Sequence, residues 1–268
     1  MKRFILSLIY CGLVCTITTK INAQTEDNLT IPLSKSNDPG NLEVKLLYGS
    51  ITVNAHSGKD VIVKTTSRSK QTSSVTKNGL KKIGSSDGGF SVEEFNNTVK
   101  IKAGPNNKRK DFTIMVPKNF SLKLGAVNNG NIVVNGVHGD MEISNTNGAI
   151  TLNNIGGSVI ADALNRDIVV TFDAIDSGAP MAFTSLNGNL DVTFPSNVKA
   201  TIKARTENGN VYTDFEMVQR TTSNVKENRN SKGVYKVNVD KWILGEINGG
   251  GPEMLFKTLN GNVLIRSN

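Results

Sequence analysis

The chain has 268 residues, and its 31 lysines and arginines against 23 acids give a formal net charge of +8. No segment after the first 23 residues is apolar enough to cross a membrane, which excludes a protein with several membrane helices. Two cysteines and two histidines leave little material for a metal centre. The glycine-rich stretches do not open a helix and so do not resemble phosphate-binding loops. We therefore expect no metal and no cofactor.

The first 23 residues have the composition of an export signal. A basic start precedes an apolar run over residues 4–14, and Ala23 is the small residue that suits cleavage. A lipoprotein signal is the rival interpretation because Cys11 and Cys15 lie here, but bulky residues precede both. We predict cleavage after residue 23 and export to the periplasm, the outer cell surface or the extracellular space. The mature chain, residues 24–268, then has no thiol.

The mature chain begins with alternating apolar and polar residues over 41–47 and 48–53, which predict β-strands. Residues 65–89 break this pattern because they are rich in Ser, Thr and Lys, and they predict a long surface loop. Two more alternating strands follow over 90–103 and 111–116, joined by a short basic tip.

The long loop and the basic tip carry most of the clustered cations. The plain interpretation is a pair of solvated loops, and the sharper one is a patch that binds an anionic polymer. The candidate polyanion-binding residues are Arg68, Lys70, Lys77, Lys81, Lys82, Lys108, Arg109 and Lys110. Nucleic acid is a poorer partner, because no aromatic residues alternate with these cations and the signal directs the chain out of the cell.

The centre of the chain, residues 126–194, repeats. Asn-Gly pairs ending at Gly130, Gly148 and Gly188 each open a short run of alternating apolar residues. Gly130 and Gly148 are 18 residues apart, Arg166 follows after another 18, and Gly188 after 22. Gly209 continues the series 21 residues later. Each unit therefore reads as strand, turn, strand, turn, with a period of about 18–22 residues.

A unit of this size cannot bury its apolar side alone, and stacking the units buries a continuous core. Asn-Gly suits the corners because both residues tolerate positive φ, and equivalent Asn side chains could hydrogen-bond along the stack. An antiparallel meander is the alternative, since Asn-Gly is also a hairpin signal. The near-constant spacing favours the solenoid. We predict one all-β solenoid domain over residues 24–268.

The end of the chain departs from the repeat. Residues 216–233 are polar and predict a second loop, and 234–239 return to a strand pattern. The N-terminal segment and the region around Trp242 are candidate caps for the open ends of the stack. Residues 254–258 and 262–266 predict two closing strands.

Several of these features together resemble a known family. They are the export signal, the strand junction at 116–119, the repeated Asn-Gly-Asn openings, and the closing motifs at 247–251 and 259–263. These resemble the bacterial exported β-repeat proteins called "putative adhesin", a domain of unknown function, over most of residues 40–268. The resemblance implies a β-solenoid. The adhesin label carries over to this chain only by analogy of fold. Our hypothesis is a non-enzymatic adhesin or scaffold of the cell envelope, whose partner is a surface polysaccharide or an envelope protein.

The alternative from another class is a polysaccharide hydrolase or lyase on a β-helix scaffold. Hydrolysis needs two carboxyl groups about 5–10 Å apart, and one rung rises about 4.8 Å. The acids available in the repeat are Asp162, Asp167, Asp173, Asp176 and Asp191. Two or three of them in one groove would favour the enzyme, whereas scattered acids would not.

Overall fold

The computed structural model of the protein describes residues 26–66, 76–77, 80–81, 89–104, 109–175, 178–229 and 235–268. These residues form no helix, and their strands make an eleven-stranded sheet, a ten-stranded sheet and a two-stranded sheet. The all-β prediction is confirmed.

The strands are numbered in chain order. The eleven-stranded sheet holds β2 (Gly40–Tyr48), β7 (Phe90–Phe95), β8 (Thr98–Ala103), β10 (Phe120–Asn128), β12 (Met141–Asn145), β14 (Val159–Ala163), β16 (Met181–Ser185), β18 (Ala200–Asn208), β20 (Met217–Arg229), β21 (Tyr235–Ile247) and β22 (Glu253–Asn260). The ten-stranded sheet holds β1 (Glu26–Ile31), β3 (Ile51–His56), β4 (Val61–Thr66), β9 (Asp111–Pro117), β11 (Ile132–Asn135), β13 (Ile150–Ile155), β15 (Ile168–Phe172), β17 (Leu190–Phe194), β19 (Val211–Thr213) and β23 (Val263–Ser267). The two-stranded sheet pairs β5 (Thr76–Lys77) with β6 (Leu80–Lys81).

Each rung of the fold is one strand of the eleven-stranded sheet followed by one strand of the ten-stranded sheet. The rungs β10/β11, β12/β13, β14/β15 and β16/β17 stack in parallel. Ile132 lies beside Ile150, Ile150 beside Ile168, and Ile168 beside Leu190, at spacings of 18, 18 and 22 residues. The predicted solenoid and its period are confirmed, and parallel pairing rules out the meander for these rungs.

The chain does not visit its rungs in order. In the described residues β8/β9 is the first rung and β2/β3 the second, although β2/β3 comes earlier in the chain. At the other end, β22/β23 inserts between β16/β17 and the last rung, β18/β19. The neighbour of Gly188 in the stack is therefore Gly261 and not Gly209. Our placement of Gly209 as the next unit was wrong, because sequence distance does not reveal a rung inserted later.

A single hydrophobic core fills the space between the two large sheets. Alternate residues of the stacked rung strands point inward, as the strand period requires, and the middle rungs bury mainly Ile, Val and Leu. Toward the C-terminal end, four phenylalanines pack together with ring centroids 5.2–6.5 Å apart. They are Phe172, Phe183, Phe194 and Phe256.

Antiparallel strands cover the ends of the stack. β7 lies on β8, β4 and β1 extend the sheet beyond β9, and β21 lies on β18 with β20 outside it. The predicted cap around Trp242 is confirmed by the position of β21. The predicted loop at 216–233 was wrong over most of its length, because β20 pairs all thirteen of its residues with β21. β20 has few apolar residues, so its sequence resembles a polar loop, and within the described ranges it pairs along one edge, with β21.

The glycines at the corners are required by close packing more than by φ. A Cβ on Gly148 would lie 1.8 Å from the carbonyl oxygen of Gly130 in the preceding rung. Neither glycine has a positive φ, whereas Asn129 does, at 57°. The expected positive φ is therefore found at Asn129 but not at Gly130 or Gly148.

The asparagines beside these glycines form a ladder along the stack. In five successive pairs, the side-chain amide of one asparagine donates a hydrogen bond to the side-chain oxygen of the asparagine one rung away, at 2.7–3.1 Å. The ladder runs through Asn128, Asn147, Asn165, Asn187, Asn260 and Asn208. The predicted hydrogen bonding of equivalent Asn side chains is confirmed.

We expect Asn165→Ala to lower the free energy of unfolding by about 1 kcal/mol, since two exposed hydrogen bonds of modest net value are lost. Urea denaturation measures the change. Asn197→Ala, at an exposed turn outside the ladder, is the matched control. Equal stability of the two variants would mean that the ladder contributes nothing.

Candidate polyanion-binding corner

The two basic insertions leave the fold side by side. Thr66, the last residue of β4, pairs with Asp111, the first residue of β9. Phe90, the first residue of β7, pairs with Ala103, the last residue of β8. Since β8 and β9 belong to the same rung, all four chain ends meet where that rung turns from one sheet to the other. We call this place the basic corner, bounded by Thr66, Gly89, Gly104 and Arg109.

Arg109 lies on the rim of the basic corner. Its Nε lies 3.1 Å from Oδ1 of Asp111, and its side chain is 45% exposed. The same Asp111 oxygen accepts a hydrogen bond from the backbone amide of Ser50, 2.9 Å away. The guanidinium is therefore held at the surface by a carboxylate that also joins two rungs.

Lys110 does not belong to the exposed surface, although the sequence placed it among the polyanion-binding residues. It is 6% exposed, and its Nζ lies 5.6 Å from the ring centroid of Phe90, a cation–π distance. Its carbonyl oxygen meets Gly49 as the corner carbonyls of other rungs do. Lys110 thus takes the corner position of the first rung. A count of charges in the sequence cannot distinguish this buried lysine from a solvent-exposed one.

The other candidate residues lie in or beside the insertions. Lys77 and Lys81 belong to β5 and β6, where Lys77 pairs with Leu80 and Thr76 with Lys81. The candidates outside the described residues are Arg68, Lys70, Lys82 and Lys108. What the structure places side by side is the strand ends at which the two insertions begin and end.

Two further cations near the basic corner were missed by the sequence analysis. Lys45 of β2 and Lys102 of β8 are exposed neighbours in register on the outer face of the eleven-stranded sheet. Lys102 pairs with Glu93 at 3.2 Å. The stem of Lys45 lies near Gly125 of the next rung, since a Cβ there would be 3.4 Å from its Cγ. Both lysines alternate with apolar residues in predicted strands, and this alternation could have indicated that their side chains point outward.

Away from the corner, charges on the same face are paired. A shallow groove of about 460 Å³ contains Glu43, Lys123 and Glu142. Lys100 bonds to Glu43 at 3.0 Å, and Lys123 bonds to Glu142 at 2.6 Å. The hydrogen bond from Lys100 lowers the pKa of Glu43, so this acid is held in its ionised form. A general acid for glycoside hydrolysis needs the opposite shift.

The repeat aspartates do not share a groove in the described part of the chain. Asp162 lies on the eleven-stranded sheet and Asp191 on the ten-stranded sheet. Each aspartate has its own partner: Thr184 for Asp162, the Asn189 amide for Asp167, His138 for Asp173 and Arg266 for Asp191. Asp176 lies outside the described residues. Those residues also contain no group of three or more His, Cys, Asp or Glu side chains able to hold a metal ion.

The fold and corner together define a class of protein: a parallel β-solenoid of two-stranded rungs with antiparallel caps. The model of the Toastrack DUF4097 family matches residues 12–241, and the chain belongs to that family. The resemblance drawn from the sequence is confirmed. None of the described residues forms a helix that could span a membrane.

Two solved structures align over most of the chain. One, a putative cell adhesion protein from Clostridium sporogenes, is 11% identical, with 92% of this chain and 100% of that chain covered and a TM-score of 0.49. The other, a putative adhesin from Bacteroides fragilis, is 9% identical, with 92% and 98% covered and a TM-score of 0.35. No curated protein matches the chain.

Proposed function

We propose that this protein is exported to the cell envelope and binds an anionic surface polymer there, as a non-enzymatic adhesin or scaffold. The observation that carries the proposal is the shared origin of the two basic insertions. Two stretches separated in sequence by residues 89–104, which hold β7 and β8, leave from adjacent strand ends. Cations spread over two insertions and one rim suit a polymer with repeated negative charges, since such a ligand engages several of them at once.

The placement of the acids supports binding without catalysis. Hydrolysis needs an acid and a base or nucleophile facing one bond. The described aspartates of the repeat are held by separate partners on different faces, and Glu43 has a lowered pKa. These groups suit solubility and cross-rung bonding better than proton transfer.

The solenoid is a stiff support for the basic corner. Its parallel ladders and its asparagine ladder connect successive rungs, which makes the body stiff. Binding segments inserted at the end of a stiff scaffold are held away from its bulk, as with loops on other rigid folds.

We expect a variant with seven cations replaced by Ser to bind alginate and dextran sulfate at least about tenfold more weakly than the mature protein, because each exposed cation contributes a screened attraction. The replaced residues are Arg68, Lys70, Lys77, Lys81, Lys82, Lys108 and Arg109. Lys110 stays in place because it is buried. Binding is measured by biolayer interferometry at about 50 and 500 mM salt, and wild-type binding should fall steeply at the higher salt.

The matched control replaces exposed lysines elsewhere, Lys199, Lys241 and Lys257, by Ser, and should bind nearly as tightly as the wild type. Unchanged binding by the seven-residue variant, or wild-type binding that ignores salt, contradicts the basic corner as the binding site.

A further inference from the structure

The eleven-stranded sheet ends in an edge strand that is unusually long. β20 has thirteen residues, and among the described residues its only strand partner is β21. β21 in turn pairs with β18 only over Ile243–Ile247. Eight residue pairs, from Thr222 with Trp242 to Arg229 with Tyr235, therefore form a ribbon without a third strand. A two-stranded ribbon is marginally stable alone, and a long open edge is a template for another strand.

We infer that β20 pairs with β7 of a second copy of this chain, so that molecules assemble head to tail along the stack. The direction of the strands supports this partner. β20 runs parallel to the rung strands of its sheet, and β7 runs antiparallel to them. A second copy displaced along the stack would therefore set β7 antiparallel to β20, the pairing that two edge strands form readily.

The columns of the sheet place complementary residues opposite each other. Val218 of β20 and Phe95 of β7 fall in the same outward column, which passes through Thr201 in the last rung and Thr98 in the first. Phe95 is 76% exposed and Val218 is 71% exposed, the two largest values among the exposed large hydrophobic residues. Pairing the two edges in this register would cover both. It would set the six residues of β7 opposite residues 218–223 of β20 and leave residues 224–229 beyond the end of β7.

The neighbouring column pairs opposite charges. Arg220 of β20 lies in register with Leu244 and Lys203, and Glu93 of β7 lies in register with Lys100. Continuing the columns from copy to copy sets position 220 of β20, where the sequence has an arginine, opposite Glu93 of β7, and opposite charges at facing positions favour the pairing of two strands. The part of β20 that would lie opposite β7, residues 218–223, has one cation and no acid, whereas β7 has two acids and no cation. Two copies of β20 facing each other would not gain this complementarity.

The two ends of the stack are stepped, because the two large sheets extend by different numbers of strands beyond the end rungs. Beyond the last rung, the eleven-stranded sheet continues for two strands and the ten-stranded sheet for none. Beyond the first rung, the ten-stranded sheet continues for two strands and the eleven-stranded sheet for one. The eleven-stranded sheet projects further at the last rung and less far at the first. With β20 paired to β7, three of its strands and two of the ten-stranded sheet would lie between the end rungs of neighbouring copies. A contact of this kind joins two different surfaces and does not close, so it produces a linear polymer.

Light scattering and negative-stain electron microscopy of residues 24–268, at about 1–200 µM and without any polysaccharide, test the assembly. We expect the mean mass to rise with concentration past the dimer, and rods to appear. Arg220→Glu alone and Glu93→Arg alone should each shift assembly to at least about tenfold higher concentration, because each sets like charges at facing positions. Glu93→Arg also removes the contact with Lys102, so Arg220→Glu is the cleaner of the two. An equimolar mixture of the two, or the double variant, should restore assembly because the charges are swapped. Lys257→Glu, in the middle of the sheet, should change nothing.

Three outcomes would overturn the inference. A mass that stops at the dimer and ignores Glu93→Arg would mean that β20 pairs with itself. A monomer at every concentration would mean that the edge stays open or binds another protein. Normal assembly of Arg220→Glu and of Glu93→Arg would contradict the proposed register between β20 and β7. Circular dichroism separates loss of assembly from loss of folding, and the double variant provides a second check. None of these results depends on polymer binding, so the proposed function can fail or hold separately.

Discussion

Gly148→Ala is expected to lower the free energy of unfolding by about 3 kcal/mol, near the upper range of overpacking changes. The added Cβ would lie 1.8 Å from the carbonyl oxygen of Gly130 and 2.7 Å from Nδ2 of Asn145. The side chain of Asn145 could move, but the carbonyl belongs to the neighbouring rung and cannot rotate away. The rungs must therefore separate locally, which weakens the parallel ladder on both sides of the corner. Urea denaturation followed by circular dichroism measures the loss.

Gly89→Ala is the matched control, because a Cβ at Gly89 meets nothing within 4 Å. It should change stability by no more than about 0.5 kcal/mol, as surface substitutions usually do. Similar stability of Gly148→Ala and Gly89→Ala would contradict the close approach of the corner backbones.

Phe183→Ala is expected to cost about 3–5 kcal/mol, the range for large aromatic deletions in a core. Phe183 is fully buried, stacked on Phe256 with ring centroids 5.2 Å apart and edge-on to Phe172 and Phe194. Its removal leaves a cavity where β16 contacts β22, the strand inserted late in the chain. The substitution therefore weakens the contact between rung β16/β17 and rung β22/β23, which connects the last two rungs to the rest of the stack. Thermal and urea denaturation both report it.

Tyr212→Ala removes an aromatic ring of similar size that is 52% exposed on β19, and it should cost less than about 1 kcal/mol. A small effect of Phe183→Ala, comparable with that of Tyr212→Ala, would mean that the four rings do not form a packed cluster.

The period of the central rungs could be predicted from the sequence because they are consecutive in the chain. The Asn-Gly pairs at 18, 18 and 22 residues match the strand registers, and the asparagine ladder follows from the same spacing. The inserted rungs could not be predicted. Spacing shows that a segment fits the repeat, but it does not show which two rungs it lies between, and so Gly209 was placed beside Gly188.

The caps and the corner were harder to predict for a different reason. β20 has an alternation too weak to separate a strand from a polar loop, since its partner β21 supplies the pairing. Lys110 carries the same charge as Arg109, but its burial depends on Phe90, which lies on another strand. Tertiary contacts of this kind leave no local pattern. The convergence of the two insertions likewise depends on β4 and β7 flanking the same rung.

Head-to-tail assembly would change what the basic corner can do. Each added copy would carry its basic corner beside a junction, because β7, which pairs with β20 of the neighbouring copy, begins next to Gly89 of the corner. The corners would then recur at a regular interval along a stiff rod. Several weak sites on one rod raise the overall affinity for a long polymer without any new contact. A chain that binds short anionic fragments weakly would then bind the intact polymer tightly.

The most direct test of the polymer-binding account is a glycan array probed with residues 24–268 at low and high salt, with reducing-sugar release assayed on every glycan that binds. The account predicts binding to uronic-acid and sulfated glycans that weakens steeply with salt, with no sugar released. Release of sugar would contradict it and direct attention to the acids of the groove and the repeat. Binding confined to neutral glycans would contradict it as well, because the cations of the basic corner would then have no part in recognition.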